Sequence, residues 1–316
     1  MYSESIAPVS SALAENISWA VFGKDDKIRR IVCALICGGH VLLDDIPGTG
    51  KTTLCKALAK TVDASFRRIQ FTPDLLPSDI TGINFFNQKT QSFEFRPGPI
   101  FADIILADEL NRTTPRTQSA LLECMEERQT TVDGETHPLG GLFFVIATQN
   151  PIESQGVFPL PQAQIDRFLM RLSLGYPARS QEKRVLDEYM TVSPLDGLKA
   201  AASSGDILKA REAARHITVS DALKDYIISL CEATRTADSV RLGVSTRGAL
   251  QLMRASQVWA GMDGRDFVIP DDVKAVAVPV LAHRIIPRSQ STIRVGDTGE
   301  NIVSLLLDTV PAPING

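Results

Sequence analysis

A glycine-rich turn set between an apolar run and a helical pattern constrains the fold of this 316-residue chain more than any other stretch. It reads Asp44-Asp-Ile-Pro-Gly-Thr-Gly-Lys-Thr-Thr53 and follows the apolar run 41–43. A buried strand that ends in such a turn aims successive backbone N–H groups into one concavity, and at the start of a helix that concavity suits a polyphosphate. Gly48 and Gly50 have no Cβ to block the approach. Lys51 then reaches the β- and γ-phosphates as a point charge, and the Thr52 hydroxyl is placed as a Mg²⁺ ligand. The helix expected to open at Thr52 adds the positive end of its dipole. The common form of this loop, Gly-x-x-x-x-Gly-Lys-Ser/Thr, has glycine where this chain has Asp45. That carboxylate falls at the start of the loop, away from a γ-phosphate.

Fifty-seven residues beyond Lys51, the apolar run 104–107 ends in Asp108-Glu109. Ligands of open α/β sheets sit at the carboxyl ends of strands, where this pair would lie. Asp108 can hold the metal through water, and Glu109 is placed to orient and polarise an attacking water, because phosphoryl transfer depends on positioning and charge stabilisation. The run 143–148 ends at Gln149-Asn150, which lands the Asn150 amide on the same edge. Alone, an Asp-Glu pair ending a strand reads as a solvated terminus. Beside the phosphate loop it reads as the other half of a nucleotide site, with ATP and Mg²⁺ as cofactors.

Periodicity places these motifs. The segment 27–37 is helical and stops at Gly38-Gly39, and a second helix covers 52–62. Short apolar runs at 41–43, 66–71, 104–107, 143–148 and 168–174, separated by turns and helical patterns, predict a five-stranded parallel sheet flanked by helices. Two hairpins interrupt it. Ile83-Asn-Phe-Phe86 with Ser92-Phe-Glu-Phe-Arg96 forms the first, and Gln129 to Thr136, with Asp133-Gly134 at its turn, forms the second. Phe85, Phe86, Phe93 and Phe95 either hold a client or pack the hairpin. From about 178 the strand signal ends and amphipathic helices follow, at 220–231, 246–260 and 272–283. The expected organisation is an α/β core over 1–177, an all-helical domain over 178–289, and a tail over 290–316 of unassigned role.

Composition narrows the function classes. A net charge of −4 and a pI near 5.7 give no basic footprint for bulk nucleic-acid binding. The five cysteines are odd in number and lack Cys-x-x-Cys spacing, so they read as reduced, mostly core residues. His40, His137, His216 and His283 show no ligand spacing, and no zinc or iron site is expected. No stretch approaches about eighteen apolar residues, and the amino terminus lacks a basic region followed by an apolar one. The expected location is cytoplasmic, with no transmembrane segment.

Six ordered motifs carry a more specific resemblance, over about 17–284. They are Val21-Phe-Gly-Lys24, Leu106-Ala-Asp-Glu-Leu-Asn-Arg112, Gln118-Ser-Ala-Leu-Leu-Glu123, Ile146-Ala-Thr-Gln-Asn-Pro151, Asp166-Arg-Phe168 and Gly243-Val-Ser-Thr-Arg247. With the phosphate loop, the chain resembles the MoxR family of AAA+ ATPases. The resemblance implies a P-loop AAA+ core with a C-terminal helical lid. It implies nucleotide contacts from Val21, Phe22 and Gly23 and from the run Ile46, Pro47, Gly48, Thr49, Gly50, Lys51, Thr52 and Thr53. It also implies that Asn150 is the sensor-1 residue, that Arg167 is the arginine finger for a neighbouring subunit's ATP, and that Arg247 is the sensor-2 arginine, reaching its own subunit's γ-phosphate. The hairpins would be the helix-2 and pre-sensor-1 inserts, facing a client or the ring pore. This chain departs from the family pattern at Asp45, at Gln162, where Glu is more usual, and at Thr246, where Pro is more usual. Arg112 and Arg171 are further candidates near a subunit boundary.

The expected activity is ATP hydrolysis by an oligomeric ring, which the resemblance implies is a hexamer, that remodels, matures or inserts a cofactor into a client protein. A partner with a von Willebrand factor A domain is implied by the resemblance alone. Two alternatives belong to other classes: a nucleotide-gated scaffold with little turnover, and a helicase-like nucleic-acid motor. The motor would need several cations at the hairpin tips, yet Asn87 to Gln91 offers one lysine and Asp133 to Glu135 is acidic.

Overall fold

Five short strands with apolar side chains on both faces form one parallel sheet. The structure, a computed structural model, describes residues 1–150, 156–190, 193–288 and 298–313. The strands are β1 (Val41–Asp44), β2 (Phe66–Gln70), β3 (Ile104–Asp108), β4 (Phe144–Gln149) and β5 (Met170–Leu172), in the order β2-β3-β4-β1-β5. All four neighbouring pairs are parallel. Within β1, Val41 and Leu43 face one apolar cluster and Leu42 the other, the period of two that a strand covered on both sides requires. The edge strand β2 differs, with Arg67, Arg68 and Gln70 exposed.

Four helices pack this sheet: α1 (Ala7–Ala20), α2 (Asp25–Cys37), α3 (Lys51–Thr61) and α4 (Pro115–Glu127). The reading from periodicity begins at residue 27 and passes over α1, whose Leu13 and Ile17 are fully buried. Gly38 ends α2 at φ 70, a left-handed cap that leaves its neighbour Gly39 donating to the Ala34 carbonyl at 3.1 Å. Both expected hairpins form. Gly82–Asn87 pairs antiparallel with Ser92–Pro97, and Gln129–Val132 with Glu135–Pro138. Asp133 and Gly134 both have positive φ, at 49° and 88°, as a two-residue hairpin turn favours. The hairpins also join each other: Asn84 Nδ2 donates to Asp133 Oδ2 at 3.0 Å, and Phe95 stacks on His137 with ring centres 3.9 Å apart.

The carboxyl-terminal half is helical: α5 (Arg179–Glu188), α6 (Ser204–Ala214), α7 (Asp221–Thr236), α8 (Thr246–Met262), α9 (Pro270–Leu281) and α10 (Gly299–Thr309). It carries one short antiparallel pair, Val240–Leu242 with Ile286–Pro287, that periodicity does not reveal. Helix α10 lies in the tail, and its Ile302 and Val303 are buried in the same apolar cluster as α7 to α9. That cluster continues through α1 and α2 to β1 and α3, so the lid is welded to one face of the core. At the seam, Arg29 lies over the Trp259 ring at 4.5 Å, and Cys33 Sγ approaches the Ala255 carbonyl at 3.6 Å. The five cysteines are free thiols, four of them buried. Among the described residues, no helix is long and apolar enough to cross a membrane.

His40, just before β1, shows how tightly the start of the sheet is held. Its Nδ1 accepts from the Val145 N–H at 3.0 Å, which leaves Nε2 to donate to the Met125 carbonyl at 3.2 Å. Burial, with the nearby Arg128 charge, pushes this ring down to about 3, and burial also holds His283 well below its ordinary value. Both rings are neutral when folded but take a proton when unfolded below about pH 6.5. Their contribution is therefore complete above that pH and is lost as pH falls, for His40 by roughly 1 kcal/mol per pH unit. Urea unfolding from pH 7 to pH 5 is expected to show a shallower loss of stability for His40→Gln than for the wild type, by about that slope.

Candidate nucleotide site

The phosphate loop has the shape that its glycines permit. Gly48 and Gly50 have φ 84 and 89, and a Cβ at either would meet only open space. They are there for backbone conformation and for the room left above it. Gly50 is the cap of α3, which opens at Lys51, one residue earlier than expected, and directs its first N–H groups at a cavity of about 410 Å³. Pro47, Gly48, Gly50, Lys51, Thr52 and Thr53 line it from the loop, with Asp108, Glu109, Thr148 and Asn150 from β3 and β4. Lys51 Nζ donates to the carbonyls of Asp45 and Ile46, at 3.1 and 3.3 Å, and Thr49 Oγ1 also donates to Ile46 at 3.3 Å. An open cradle of N–H groups, an ammonium and a hydroxyl fits a triphosphate, and Thr52 beside the buried Asp108 carboxylate supplies the oxygen donors Mg²⁺ prefers.

The carboxylates are held with care. Thr148 Oγ1 donates to Asp108 Oδ1 at 2.6 Å and accepts from the Glu109 N–H at 2.8 Å. Glu109 has φ 59 and ψ 46, a left-handed conformation uncommon outside glycine. It turns the chain sharply out of β3, so that the adjacent Asp108 and Glu109 side chains both line one cavity. Neighbours engage each carboxylate: Arg68 bonds Asp108, while Gln70 Nε2 at 2.7 Å and Arg112 Nη1 at 3.3 Å donate to Glu109 Oε2. Arg68 and Gln70 are site residues that the sequence reading missed. Their only signal was two polar side chains at spacing two, on a strand that carries a third at Arg67. Asn150, 7% exposed, lies on the same edge as expected, and the neighbouring Pro151 falls outside the described residues.

A second cavity, of about 420 Å³, adjoins the loop at Gly48, Thr49, Gly50 and Thr53. Val21, Phe22, Tyr176, Val185 and Tyr189 make it apolar, a slot suited to a purine base. Gly23 sits beneath Gln181 of α5, where a Cβ would come within 2.7 Å of Cγ. Asp45 fixes the floor between the two cavities. Its buried carboxylate accepts from the N–H groups of Leu174 at 2.8 Å, Gly175 at 3.2 Å and Ile46 at 3.1 Å, while Lys24 Nζ donates to the Leu174 and Gly175 carbonyls. The aspartate thus ties the loop to the segment after β5.

Neither Arg167 nor Arg247 lines the phosphate cavity of its own chain. Arg167 stands three residues before β5, where Leu169 N–H bonds to the His40 carbonyl, so it lies at the amino edge of the sheet. The phosphate loop lies at the carboxyl edge. Arg167 pairs with Glu126 at 2.9 Å, and Arg247, at the start of α8, pairs with the other oxygen of Glu126 at 2.9 Å and with Asp166 at 3.9 Å. Arg247 therefore does not line the phosphate cavity of its own chain. The first turn of α8 lies near the amino end of β5, and the rest of the helix packs on α2. Buried Arg284, absent from the sequence reading, secures the arrangement. It pairs with Asp166 at 2.8 Å and donates to the Phe168 carbonyl at 2.6 Å. Of the other candidates, Arg112 sits on Glu109 and Arg171 pairs with Asp44.

Asp45→Gly, which restores the commoner loop, leaves buried N–H groups unpaired. It is expected to cost about 2–4 kcal/mol in urea unfolding, since charge-assisted bonds of this kind contribute roughly 1.5–3 kcal/mol each.

Comparison with known proteins agrees with this geometry. The model of the ATPase family associated with various cellular activities (AAA) matches residues 40–170, and an AAA lid domain matches 232–304. Chaperone MoxR1 of Mycobacterium tuberculosis is 39% identical over 93% of this chain and 79% of its own length. The uncharacterized protein YeaC of Bacillus subtilis is 45% identical over 99% of this chain and 98% of its own. The crystal structure of a presumed ATPase from Cytophaga hutchinsonii superposes with a TM-score of 0.90 at 38% identity, covering 99% and 96% of the two chains. A P-loop core, a helical lid and relatives of this closeness along nearly the whole length lead to one conclusion: the chain belongs to the MoxR family of AAA+ ATPases.

Proposed function

We propose that this ATPase works as a homo-oligomeric ring in which each nucleotide is bound by one subunit and completed by arginines of the next. The observation that carries the reading is the separation of the two halves across the sheet. Lys51, Asp108, Glu109 and Asn150 belong to the carboxyl edge, and Arg167 and Arg247 to the amino edge, too far around the fold for one chain to close its own site. In the single chain, one carboxylate, Glu126, is shared between both arginines, which leaves positive charge there. A neighbour's triphosphate is the competing anion for which they are suited.

Within the bound half, Ile46 to Thr53 cradle the phosphates and Lys51 turns from the loop carbonyls to the β- and γ-phosphates. Thr52 and, through water, Asp108 would hold Mg²⁺, which supplies charge neutralisation on the phosphate oxygens when bound. Glu109 orients the attacking water and accepts its proton, and Asn150 positions the water or the γ-phosphate. Val21, Phe22 and Gly23 border the base. The work done is remodelling, maturation or cofactor insertion in a client protein, a reading supported by the name of the mycobacterial chaperone relative. A von Willebrand factor A domain partner follows from the family resemblance. The exposed Phe85, Phe86 and Phe93 of the first hairpin, at 40%, 48% and 74%, suit an apolar client segment better than a nucleic-acid backbone.

The specific ATPase rate per subunit, measured against protein concentration with excess Mg²⁺, tests the shared site. The rate is expected to climb steeply and then plateau, with dilute subunits slower by about 10³-fold or more. Arg167→Ala doped into wild type is expected to poison the plateau. A flat rate from a sample that is monomeric by size would sink the ring mechanism.

A further inference from the structure

The metal half of the nucleotide site already receives a cation from the chain itself. Arg68, on the edge strand β2, donates from Nε at 3.1 Å and from Nη2 at 2.7 Å to Asp108 Oδ2, the oxygen that Thr148 leaves open. The same Nη2 donates to Gln70 Oε1 at 2.6 Å, and the Gln70 amide donates in turn to Glu109 at 2.7 Å. Strand register explains the reach. Gln70 lies opposite Asp108 and Arg68 opposite Leu106, so residues 68 and 70 share one face of β2 and lead in line to the two carboxylates. Because β2 is the sheet edge, Arg68 is half-exposed and has solvent into which it can swing.

A guanidinium bonded to Oδ2 and a divalent cation held by the same carboxylate are competitors, since both need its lone pairs and like charges repel at that range. We propose that Arg68 is a latch on the metal site, which holds Asp108 in place of the divalent cation until the cation enters. Arg68 is thus a positioning residue that sets the cation concentration at which Asp108 is released to the metal. The inference rests on the reading of Asp108 as the metal carboxylate.

The test follows binding of a fluorescent ADP as Mg²⁺ is titrated, with no turnover involved. Removing the competitor in Arg68→Gln is expected to lower the half-saturating Mg²⁺ concentration by about two- to five-fold, the range of a half-exposed ion pair. Arg67→Gln removes an equal charge one residue away, from an exposed position on the opposite face of β2, and is expected to change nothing. An unchanged or raised Mg²⁺ requirement in Arg68→Gln, or an equal shift in Arg67→Gln, overturns the latch. Asp108→Asn separates the two layers of the argument. If it leaves the Mg²⁺ requirement of nucleotide binding unaltered, the reading of Asp108 fails and the latch with it. If it raises that requirement while Arg68→Gln has no effect, the latch alone fails.

Discussion

A parallel strand has two unlike ends, and the position of β1 between β4 and β5 fixes what each end of this molecule can do. At the carboxyl end, β1 opens into the phosphate loop while β3 and β4 deliver Asp108, Glu109 and Asn150 to the same crevice. At the amino end, the same register brings His40 against Leu169 and so puts Arg167 on the opposite side of the sheet. The backbone ladder therefore holds the phosphate loop and Arg167 apart. That separation is a property of the hydrogen-bonded register, and no side-chain rearrangement within one chain removes it.

Each end is then fixed by buried polar contacts of high specificity. Thr148 bridges the Asp108 carboxylate and the Glu109 N–H, and the left-handed turn at Glu109 is tolerated because the surrounding sheet is rigid. On the other side, Arg284 reaches from the end of the lid into the carbonyls around Arg167, while Glu126 shares its two oxygens between Arg167 and Arg247. Desolvation lowers Arg284 to about 10, and the guanidinium is still charged at neutral pH. A buried charge of this kind is worth keeping only where its partners are fixed, so the lid and the segment around Arg167 are positioned as one body.

Much of the core was legible because it depends on local pattern. Apolar runs of strand length, glycines at the loop, Gly38-Gly39 after α2 and Asp133-Gly134 in the second hairpin all act through backbone conformation or burial period, which a sequence displays directly. Helix α1 was passed over because its apolar residues are spaced among alanines and serines and give a weak stripe. The short strands Val240–Leu242 and Ile286–Pro287 are too brief to carry a period. Arg68 and Gln70 looked like ordinary surface residues of an edge strand, because their importance comes from Asp108 and Glu109 lying one strand away.

The sequence by itself determined the motifs of the bound half, a glycine-rich phosphate loop and a strand that ends in Asp108-Glu109, each carried by a short run of residues. Only the tertiary structure decided the placement of Arg167 and Arg247, the role of Asp45 as a tie to the segment after β5, and the occupation of Asp108 by Arg68. The physical reason is range. A loop's conformation is set by its own few residues, whereas a long-range ion pair is set by strand order, register and the docking of α8 on α2, none of which a linear pattern records.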